Sequence, residues 1–384
     1  METTLLGLAI FTLGAFVFSG VVMWFGNRTI KFLDEISAAR IGNYPKVSVL
    51  SAARNEEKNL AAALQSVLQL DYANFEIIVV NDRSTDRTGE ILDRLAPAHS
   101  RLRPIHVTAL PPGWLGKNHA LYRAAQESSG ELLLFTDADV VMHPAALQKA
   151  VQYLLTQQLD HLTASPALKM PGAWLNLFSG FFNMAFFMYT QPWKVRNPRS
   201  EKFIGIGAFN LIRAATYRAI GTHQAIAMRP DDDMKLGKLV KQHDFKSEFL
   251  HGTRMLHVEW YDSLAAVVKG LEKNMFAGLD YNLPAVIQGT IANLIFWVWP
   301  FIGMFLTEGP AQILNGAIVT IILLIYGYGA GIGNLKRRYG IGVPLAALFF
   351  IFLLWNSTLK TLCNRGINWR ETFYPLAELK ANKI

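Results

Sequence analysis

Uncharged apolar runs occupy both ends of this 384-residue chain, and shorter apolar runs alternate with polar segments in the middle. Residues 5–25 contain no charged side chain, and as a helix they are long enough to cross roughly 30 Å of hydrocarbon. Further uncharged runs cover residues 281–307, 309–335 and 339–355. The pattern therefore predicts one N-terminal span and two or three spans near the C-terminus.

Basic residues beside these runs predict their orientation. Arg28 and Lys31 follow the first run, which places the chain from residue 26 onward in the cytoplasm. Glu2 precedes the run, whereas a cleaved signal peptide needs a basic start. Three complete C-terminal spans would leave the basic tail on the opposite side, so the segment around residues 344–355 is alternatively re-entrant or interfacial.

A further uncharged stretch, at residues 170–193, lies within the central region and is rich in Phe, Trp and Met. It predicts either an amphipathic helix in the lipid headgroup layer or a helix buried in a protein core. Periodicity does not separate these two interpretations.

The middle of the chain predicts an α/β fold. Short apolar runs with the sequences KVSVLSA, FEIIVV, PIHVTAL and ELLLF alternate with helical patterns at residues 55–70, 86–95 and 117–128. Such alternation is typical of a mostly parallel, doubly wound sheet with helices on both faces. We therefore predict an N-terminal helix at 1–28, an α/β domain at 45–280, a membrane region at 281–360 and a tail at 361–384.

Polar residues follow each predicted strand, where parallel sheets of this kind bind their ligands. After the fourth strand, Asp137 and Asp139 are alternate residues of an extended segment and so share a face. Hard oxygen ligands of this kind suit Mg²⁺ or Mn²⁺ bound to a diphosphate. The alternative is that Asp139 caps the following helix.

The other loops carry groups suited to a nucleotide. Glu56 and Asp82 follow the first two strands and can accept hydrogen bonds from a base or a ribose. Lys117 lies at a predicted helix start, where an ammonium and the helix dipole both favour phosphate, although a solvated surface lysine is the alternative. We assign Asp86 to a helix N-cap, and Asn55 is a second candidate cap.

An acidic run at residues 231–233 offers a general base. Crowded carboxylates raise at least one pKa, which suits deprotonation of an acceptor hydroxyl. Any of the three carboxylates is a candidate at this point, and an acidic helix N-terminus could hold at the same time for Asp231 or Asp232.

Composition excludes some classes of protein. The net charge of +8 comes with no basic arm or zinc-finger spacing, so nucleic-acid binding is not expected, and membrane lipids or a diphosphate account for it better. The single cysteine, Cys363, excludes an intramolecular disulfide and a cysteine metal cluster.

The assembled pattern resembles family 2 glycosyltransferases of the GT-A fold over roughly residues 45–280. The resemblance rests on segments that occur in family order, namely SAARNEE, VVNDRSTD, WLGKNHAL, FTDADVVMHP, GIGAFNLIRAATYRAIGTH and DDDMKLG. It implies direct inverting displacement at an anomeric carbon, with a nucleotide-diphospho-sugar as donor, a UDP-sugar being expected.

The resemblance also implies roles for single residues. Glu56, Asp82 and Lys117 would contact the nucleotide, and Asp137 with Asp139 would hold the metal and diphosphate. Asp233 would be the base, with Asp232 in the position of its acidic partner. The segment 205–210, with Gly205, Gly207 and Asn210, would contact the donor or acceptor sugar.

The sequence departs from processive synthases, because we find no Gln-x-x-Arg-Trp signature after the base. The segment GLEKN instead resembles the Gly-x-Ser-Lys-Asn pattern of membrane glycosyltransferases associated with carotenoid and hopanoid pathways, and the ending INWRETFYP resembles theirs, with Glu272 and Glu371 as departures. Lys273 and Asn274 then become candidate phosphate or acceptor contacts, and a lipid or isoprenoid acceptor at the plasma membrane is expected. A processive synthase and a catalytically silent membrane scaffold remain the alternatives.

Overall fold

The computed structural model describes residues 2–37 and 44–384, so Met1 of the predicted N-terminal helix lies outside the described residues. The chain divides into two compact units, and each consists of several separate segments. The membrane-helix unit comprises Met1–Thr29, Lys169–Gln191 and Trp260–Ile367. The sheet unit comprises Ile30–Leu168, Pro192–Glu259 and Asn368–Ile384.

The strands, in chain order, are β1 Val47–Ala53, β2 Phe75–Asp82, β3 Leu102–Val107, β4 Leu132–Phe135, β5 Val140–Met142, β6 His161–Ser165, β7 Ala167–Lys169, β8 Asn210–Arg213, β9 Ser247–His251, β10 Leu256–Glu259, β11 Gly366–Trp369 and β12 Thr372–Pro375. The α-helices are α1 Glu2–Asn27, α2 Leu60–Leu68, α3 Thr88–Leu95, α4 Gly116–Gln126, α5 Ala146–Thr156, α6 Gly172–Thr190, α7 Ala214–Ala219, α8 Asp232–Gln242, α9 Leu264–Leu271, α10 Leu283–Asn293, α11 Trp299–Leu306, α12 Gly309–Ile332, α13 Val343–Cys363 and α14 Leu376–Ala381.

The sheet unit is built on a seven-stranded sheet with the order β3-β2-β1-β4-β8-β6-β9. The four strands predicted from the sequence lie side by side, and β1 is parallel to both β2 and β4. β8 runs antiparallel to both of its neighbours, β4 and β6. The predicted mostly parallel α/β sheet is therefore confirmed, and its parallel strands end at one edge.

The central strands are buried on both faces, which explains their continuous apolar sequence. In β2, Ile77 and Val79 belong to one hydrophobic core cluster, whereas Ile78 and Val80 belong to the other. Helices cover both faces, so the sheet contributes rigid strand ends on which a site can be built.

One predicted helix starts later than expected. The chain from Arg54 to Asn59 forms a loop before α2 because Asn55 adopts a left-handed backbone, with φ 54°. Its side-chain oxygen accepts the amide of Thr85 at 2.8 Å, so Asn55 joins two loops and does not cap α2. Asp86 accepts the amide of Thr88, the first residue of α3, at 2.9 Å, as expected of a residue that serves a helix start.

Among the described residues, four segments are helical, long enough and apolar enough to cross a membrane. They are Glu2–Asn27, Leu283–Leu306, Gly309–Ile332 and Arg337–Cys363. Large apolar side chains on these segments are exposed, among them Phe18, Phe305 and Leu324. Such surfaces suit contact with lipid chains, where a helix satisfies its own backbone hydrogen bonds.

Helix α6 corresponds to the uncharged stretch at residues 170–193 and lies in the membrane-helix unit. Phe178 packs edge-on against Phe349 of α13, with 5.2 Å between the ring centroids. Trp174 and Tyr189, near the two ends of α6, are exposed. Five consecutive residues in the middle of α6, residues 177–181, are also buried, so this part of the helix is enclosed on every side. The burial favours a helix within a protein core over an amphipathic helix in the headgroup layer.

Candidate active site

Lys117 is a central cation at the carboxyl edge of the sheet. Its ammonium lies 2.9 Å from a carboxylate oxygen of Asp137 and 3.2 Å from one of Asp232. Asp137 follows β4, and Asp232 begins α8, so one lysine at the start of α4 ties three elements together. Lys117 is therefore an ion-paired residue of the site and not a solvated surface lysine.

Gly207 joins the loop after β4 to the acidic helix start. Its amide donates to Oδ2 of Asp233 at 2.7 Å, and its carbonyl accepts the amide of Asp137 at 3.0 Å. A Cβ built on Gly207 would lie 2.7 Å from Asp137, and one on Gly205 would lie 1.8 Å from the carbonyl oxygen of Asp233. Only glycine allows the backbone to approach both acidic residues this closely.

Asp233 carries the electrostatic properties expected of a general base. Burial raises its pKa to about 7, and repulsion from Asp232 acts in the same direction. The amide of Met234 donates to its Oδ1 at 2.8 Å, so both carboxylate oxygens are fixed by backbone amides. A carboxyl group that titrates near neutral pH can take a proton from a hydroxyl and release it again.

Lys117 offsets part of this crowding of negative charge. Burial acts to lower its pKa, but the attraction of Asp137, Asp232 and Asp233 raises the pKa well above its usual value. The lysine therefore stays charged at any physiological pH. A fixed ammonium beside carboxylates is also suited to a second anion such as a diphosphate.

Asp137 and Asp139 fit a divalent cation. Burial raises the pKa of Asp139, and repulsion from Asp137 and Glu56 raises it further, while the attraction of Lys117 opposes this rise only in part. Within the described residues, no group of three His, Cys, Asp or Glu side chains is arranged to hold a metal. Two carboxylates are enough for Mg²⁺ or Mn²⁺ when substrate phosphates supply the remaining ligands. Helix α5 begins only at Ala146, so Asp139 is not its cap.

Asp82 and Glu56 each lie against arginines. Arg83 donates from its Nε to one oxygen of Asp82 at 2.7 Å and from Nη2 to the other at 3.1 Å, and Asp82 is buried. The guanidinium of Arg370 donates to Glu56. Both predicted nucleotide-binding carboxylates thus contact cations, and their contact with a nucleotide remains a prediction.

The C-terminal segment reaches the same edge of the sheet unit. Arg370 also donates to the carbonyl oxygen of Arg54, and the hydroxyl of Tyr374 accepts the amide of Gly116 at 3.3 Å. Sequence reasoning missed these two residues. The sequence indicates only the ending INWRETFYP, because the pairing of Arg370 with Glu56, 314 positions away, leaves no local pattern.

A small cavity connects several predicted residues. Its lining includes Lys117, Asp137, Gly207, Asp232, Asp233 and Asn210. Asn210 is buried in β8 and hydrogen-bonds through its side-chain oxygen to His161, so its side chain has a fixed orientation. The buried His223 also lines the cavity, and burial lowers its pKa to about 3, so it is neutral.

Lys273 and Asn274 belong to the membrane-helix unit, just after α9. The ammonium of Lys273 donates to the side-chain oxygen of Asn274 at 3.0 Å. Cys363 is an exposed free thiol at the last residue of α13. The roles predicted for Lys273 and Asn274 stay predictions.

Comparison with known proteins agrees with this geometry. Residues 48–219 match the model of the family described as glycosyl transferase family 2. The chain is 24% identical over 299 residues to a 4,4'-diaponeurosporenoate glycosyltransferase of Staphylococcus haemolyticus, with 77% of each protein covered. It is 22% identical over 346 residues to the enzyme of the same name from Staphylococcus aureus, with 88% of this chain and 90% of the relative covered.

Among solved structures, the chain is similar to the mannosyltransferase PcManGT of Pyrobaculum calidifontis in complex with GDP-Man and Mn²⁺, at 17% identity and a TM-score of 0.56. The similarity covers 94% of this chain and 99% of the mannosyltransferase. The predicted family and GT-A fold are confirmed. Residues 48–219 form a glycosyl transferase family 2 domain, and the chain has the GT-A fold.

Proposed function

We propose that this protein transfers a sugar from a nucleotide-diphospho-sugar to a hydroxyl or carboxyl group of a lipid or isoprenoid acceptor at the membrane surface. The observation that carries the proposal is the arrangement of Lys117 between Asp137 and Asp232, with Asp233 fixed next to them by Gly207. The proposal is supported by the short distances among these groups, since an ammonium suits a diphosphate and a carboxylate of raised pKa suits an acceptor hydroxyl.

For a hydroxyl acceptor, the reaction is a single displacement. The acceptor oxygen forms a bond to the anomeric carbon while the bond from that carbon to the diphosphate breaks, which inverts the configuration. Asp233 receives the hydroxyl proton, and its pKa near 7 suits that role. The nucleoside diphosphate leaves with the electron pair of the broken bond.

The donor would lie along the strand-end loops. Lys117 would bind diphosphate oxygens, Glu56 and Asp82 the ribose and base, and residues 205–210 the sugar. A UDP-sugar is the donor we propose. The proposed acceptor class is supported by the names of the two staphylococcal relatives, which specify diaponeurosporenoate, and Lys273 with Asn274 are candidate acceptor contacts.

Asp137 and Asp139 would hold Mg²⁺ or Mn²⁺, which would neutralise charge on the leaving diphosphate. Replacing Asp139 with Asn keeps the size of the side chain and removes its charge. We expect this variant to lose the Mn²⁺-dependent part of UDP binding in detergent, measured by calorimetry with and without Mn²⁺. Asp86→Asn is the matched control, and UDP binding by Asp139→Asn that still responds fully to Mn²⁺ would remove the metal role.

The four candidate spans support a membrane protein. We propose that it lies in the plasma membrane with the sheet unit in the cytoplasm, where nucleotide sugars are found. Basic residues after the first span support this orientation.

Lipid extracts test the function directly. Cells with and without the protein are compared by mass spectrometry, and purified protein is then given each candidate nucleotide sugar with Mn²⁺. We expect a lipid species heavier by one sugar residue that depends on Asp233. An unchanged lipid profile, together with no hydrolysis of any nucleotide sugar, would contradict the proposal.

A further inference from the structure

The C-terminal hairpin, formed by β11 and β12, turns at Arg370 and Glu371. Both residues have left-handed backbones, with φ values of 49° and 65°. This turn presents the guanidinium of Arg370 to the loop after β1, where it donates to the carbonyl oxygen of Arg54 and to Oε1 of Glu56. Glu371 lies 3.6 Å from Arg54 on the same loop.

Alternate residues of the hairpin reach different loops of the site. Beyond Arg370, the hydroxyl of Thr372 lies 3.4 Å from Arg83, which binds Asp82, and the hydroxyl of Tyr374 accepts the amide of Gly116. Thr372 and Tyr374 share one face of β12 because successive side chains of a strand alternate. That face contacts Arg83 after β2 and the start of α4, and the turn before it brings Arg370 to the loop after β1.

The segment after the hairpin is fixed to the sheet unit as well. Asn382 accepts the amide of Met228 at 2.9 Å and donates to the carbonyl of Ala225 at 2.8 Å. Tyr374 and Leu379 are buried. The hairpin is therefore held by contacts at its tip and along the segment that follows it.

The charges around Glu56 indicate what Arg370 does at this position. Burial raises the pKa of Glu56, and Asp137 and Asp86 raise it further, while Arg370 acts to lower it. A nucleoside diphosphate adds negative charge to this acidic edge. A cation that holds Glu56 would stabilise its ionised form, whose second oxygen can accept a hydrogen bond from a ribose hydroxyl.

We propose that the C-terminal hairpin is part of the donor site and that Arg370 is a positioning residue that holds Glu56 for the nucleoside. This inference rests on the proposed function, since it assigns a role within the same donor site. It requires that the last residues of the chain contribute to nucleotide affinity. The side chains of Arg370 and Glu56 are 41% and 21% exposed, so a ligand can reach the pair.

The test uses the full-length protein in detergent with Mn²⁺, and UDP and GDP as probes. Arg370→Gln should raise the dissociation constant of the preferred nucleotide about tenfold, the size expected for one charge-assisted hydrogen bond. The kcat at saturating donor should stay within about twofold, because a positioning residue of the nucleoside does not touch the reacting atoms. Arg370→Lys keeps the charge and should recover most of the affinity.

A double-mutant cycle shows whether Arg370 acts through Glu56. Glu56→Gln alone should weaken nucleotide binding, and adding Arg370→Gln should cause little further loss. Lys380→Gln is the matched control, since it removes an exposed cation of α14 from the same C-terminal segment. Thermal unfolding of each variant separates a loss of folding from a loss of binding.

Two results would overturn the assignment. Unchanged nucleotide affinity in Arg370→Gln would make the hairpin purely structural, and tighter binding would make it an inhibitory plug. These results differ from failure of the proposed function, in which the wild-type protein itself binds neither UDP nor GDP and transfers no sugar.

Discussion

At the scale of single residues, the site concentrates negative charge around one ammonium. Asp232 is buried, and the pKa of Asp233 is raised. The ammonium of Lys117 lies between Asp232 and Asp137. Removing one partner from such a cluster leaves an uncompensated buried charge, so the cluster is costly as a structural device. Its raised carboxylate pKa fits the proton transfer that we propose.

Asp233→Asn tests the proton transfer. The amide side chain keeps the size of the aspartate but cannot accept a proton, so sugar transfer to a hydroxyl acceptor should fall by about 10²-fold or more, the usual contribution of a general base. Nucleotide affinity should stay within about threefold, because the residue acts on the acceptor. Calorimetry with UDP and a transfer assay measure the two properties.

Weakened nucleotide binding with residual transfer would instead place the base elsewhere. Asp244→Asn is the matched control, since it removes an exposed carboxylate just after the same helix, α8.

The pH dependence of transfer follows from the raised pKa of Asp233. The base works only when it is deprotonated, so kcat/KM should rise with pH up to about 7 and then level off. Activity is therefore lost as pH falls through the folded-state pKa. A profile of kcat/KM between pH 5 and 9 checks this, and a flat profile below pH 7 would contradict the assignment.

At the scale of elements, the tail limits how many helices cross the membrane. Residues 368–384 belong to the same compact unit as the sheet, while the helices between residues 260 and 367 belong to the other. A chain that leaves one side and returns to it crosses an even number of times. We therefore expect that the three C-terminal candidate spans do not all cross completely, and that one segment is re-entrant or interfacial.

Single cysteines can locate the segment that does not cross. In a Cys363→Ser background, Ser100→Cys on the sheet unit and Lys380→Cys on the tail should react with an impermeant maleimide from the same side. Arg338→Cys should share that side because of the basic cluster around it, and Glu308→Cys should react from the other. Comparing the labelling of intact cells with that of inverted membrane vesicles measures the side from which each cysteine reacts.

Reaction of Lys380→Cys from the side opposite to Ser100→Cys would contradict the even number of crossings. It would also separate the C-terminal hairpin from the donor site.

At the scale of the whole molecule, membrane attachment is distributed over both ends of the chain. The membrane-helix unit draws on three separate segments, and three of the four candidate spans lie after residue 280. Deletion of residues 1–25 should therefore leave the protein in the membrane fraction after an alkaline wash. A soluble, folded product would show that the C-terminal helices do not insert, and the full-length protein is the control.

Strands and helices follow from the amino-acid sequence alone, since their apolar patterns repeat over short distances. The alternation of apolar runs with polar segments located the four central strands, and the length of the uncharged runs located the candidate spans. The positions that directly follow the strands indicated Glu56, Asp82, Lys117 and Asp137 as candidate site residues. The strand and helix predictions are confirmed because the periods of strands and helices and the burial of apolar residues are local properties of the sequence. The roles of the four polar residues stay predictions. The order of the motifs along the sequence also indicated the family and its fold, and residues 48–219 match the family model.

The tertiary structure alone decided which distant residues meet. The insertion of β8 antiparallel beside β4, the bridge from Gly207 to Asp233 and the pairing of Arg370 with Glu56 join positions far apart in the sequence. No local period records such contacts, because they follow from how the elements pack. Their physical cause is the convergence of strand ends, helix starts and the C-terminal hairpin at one edge of the sheet, where opposite charges and backbone amides satisfy one another.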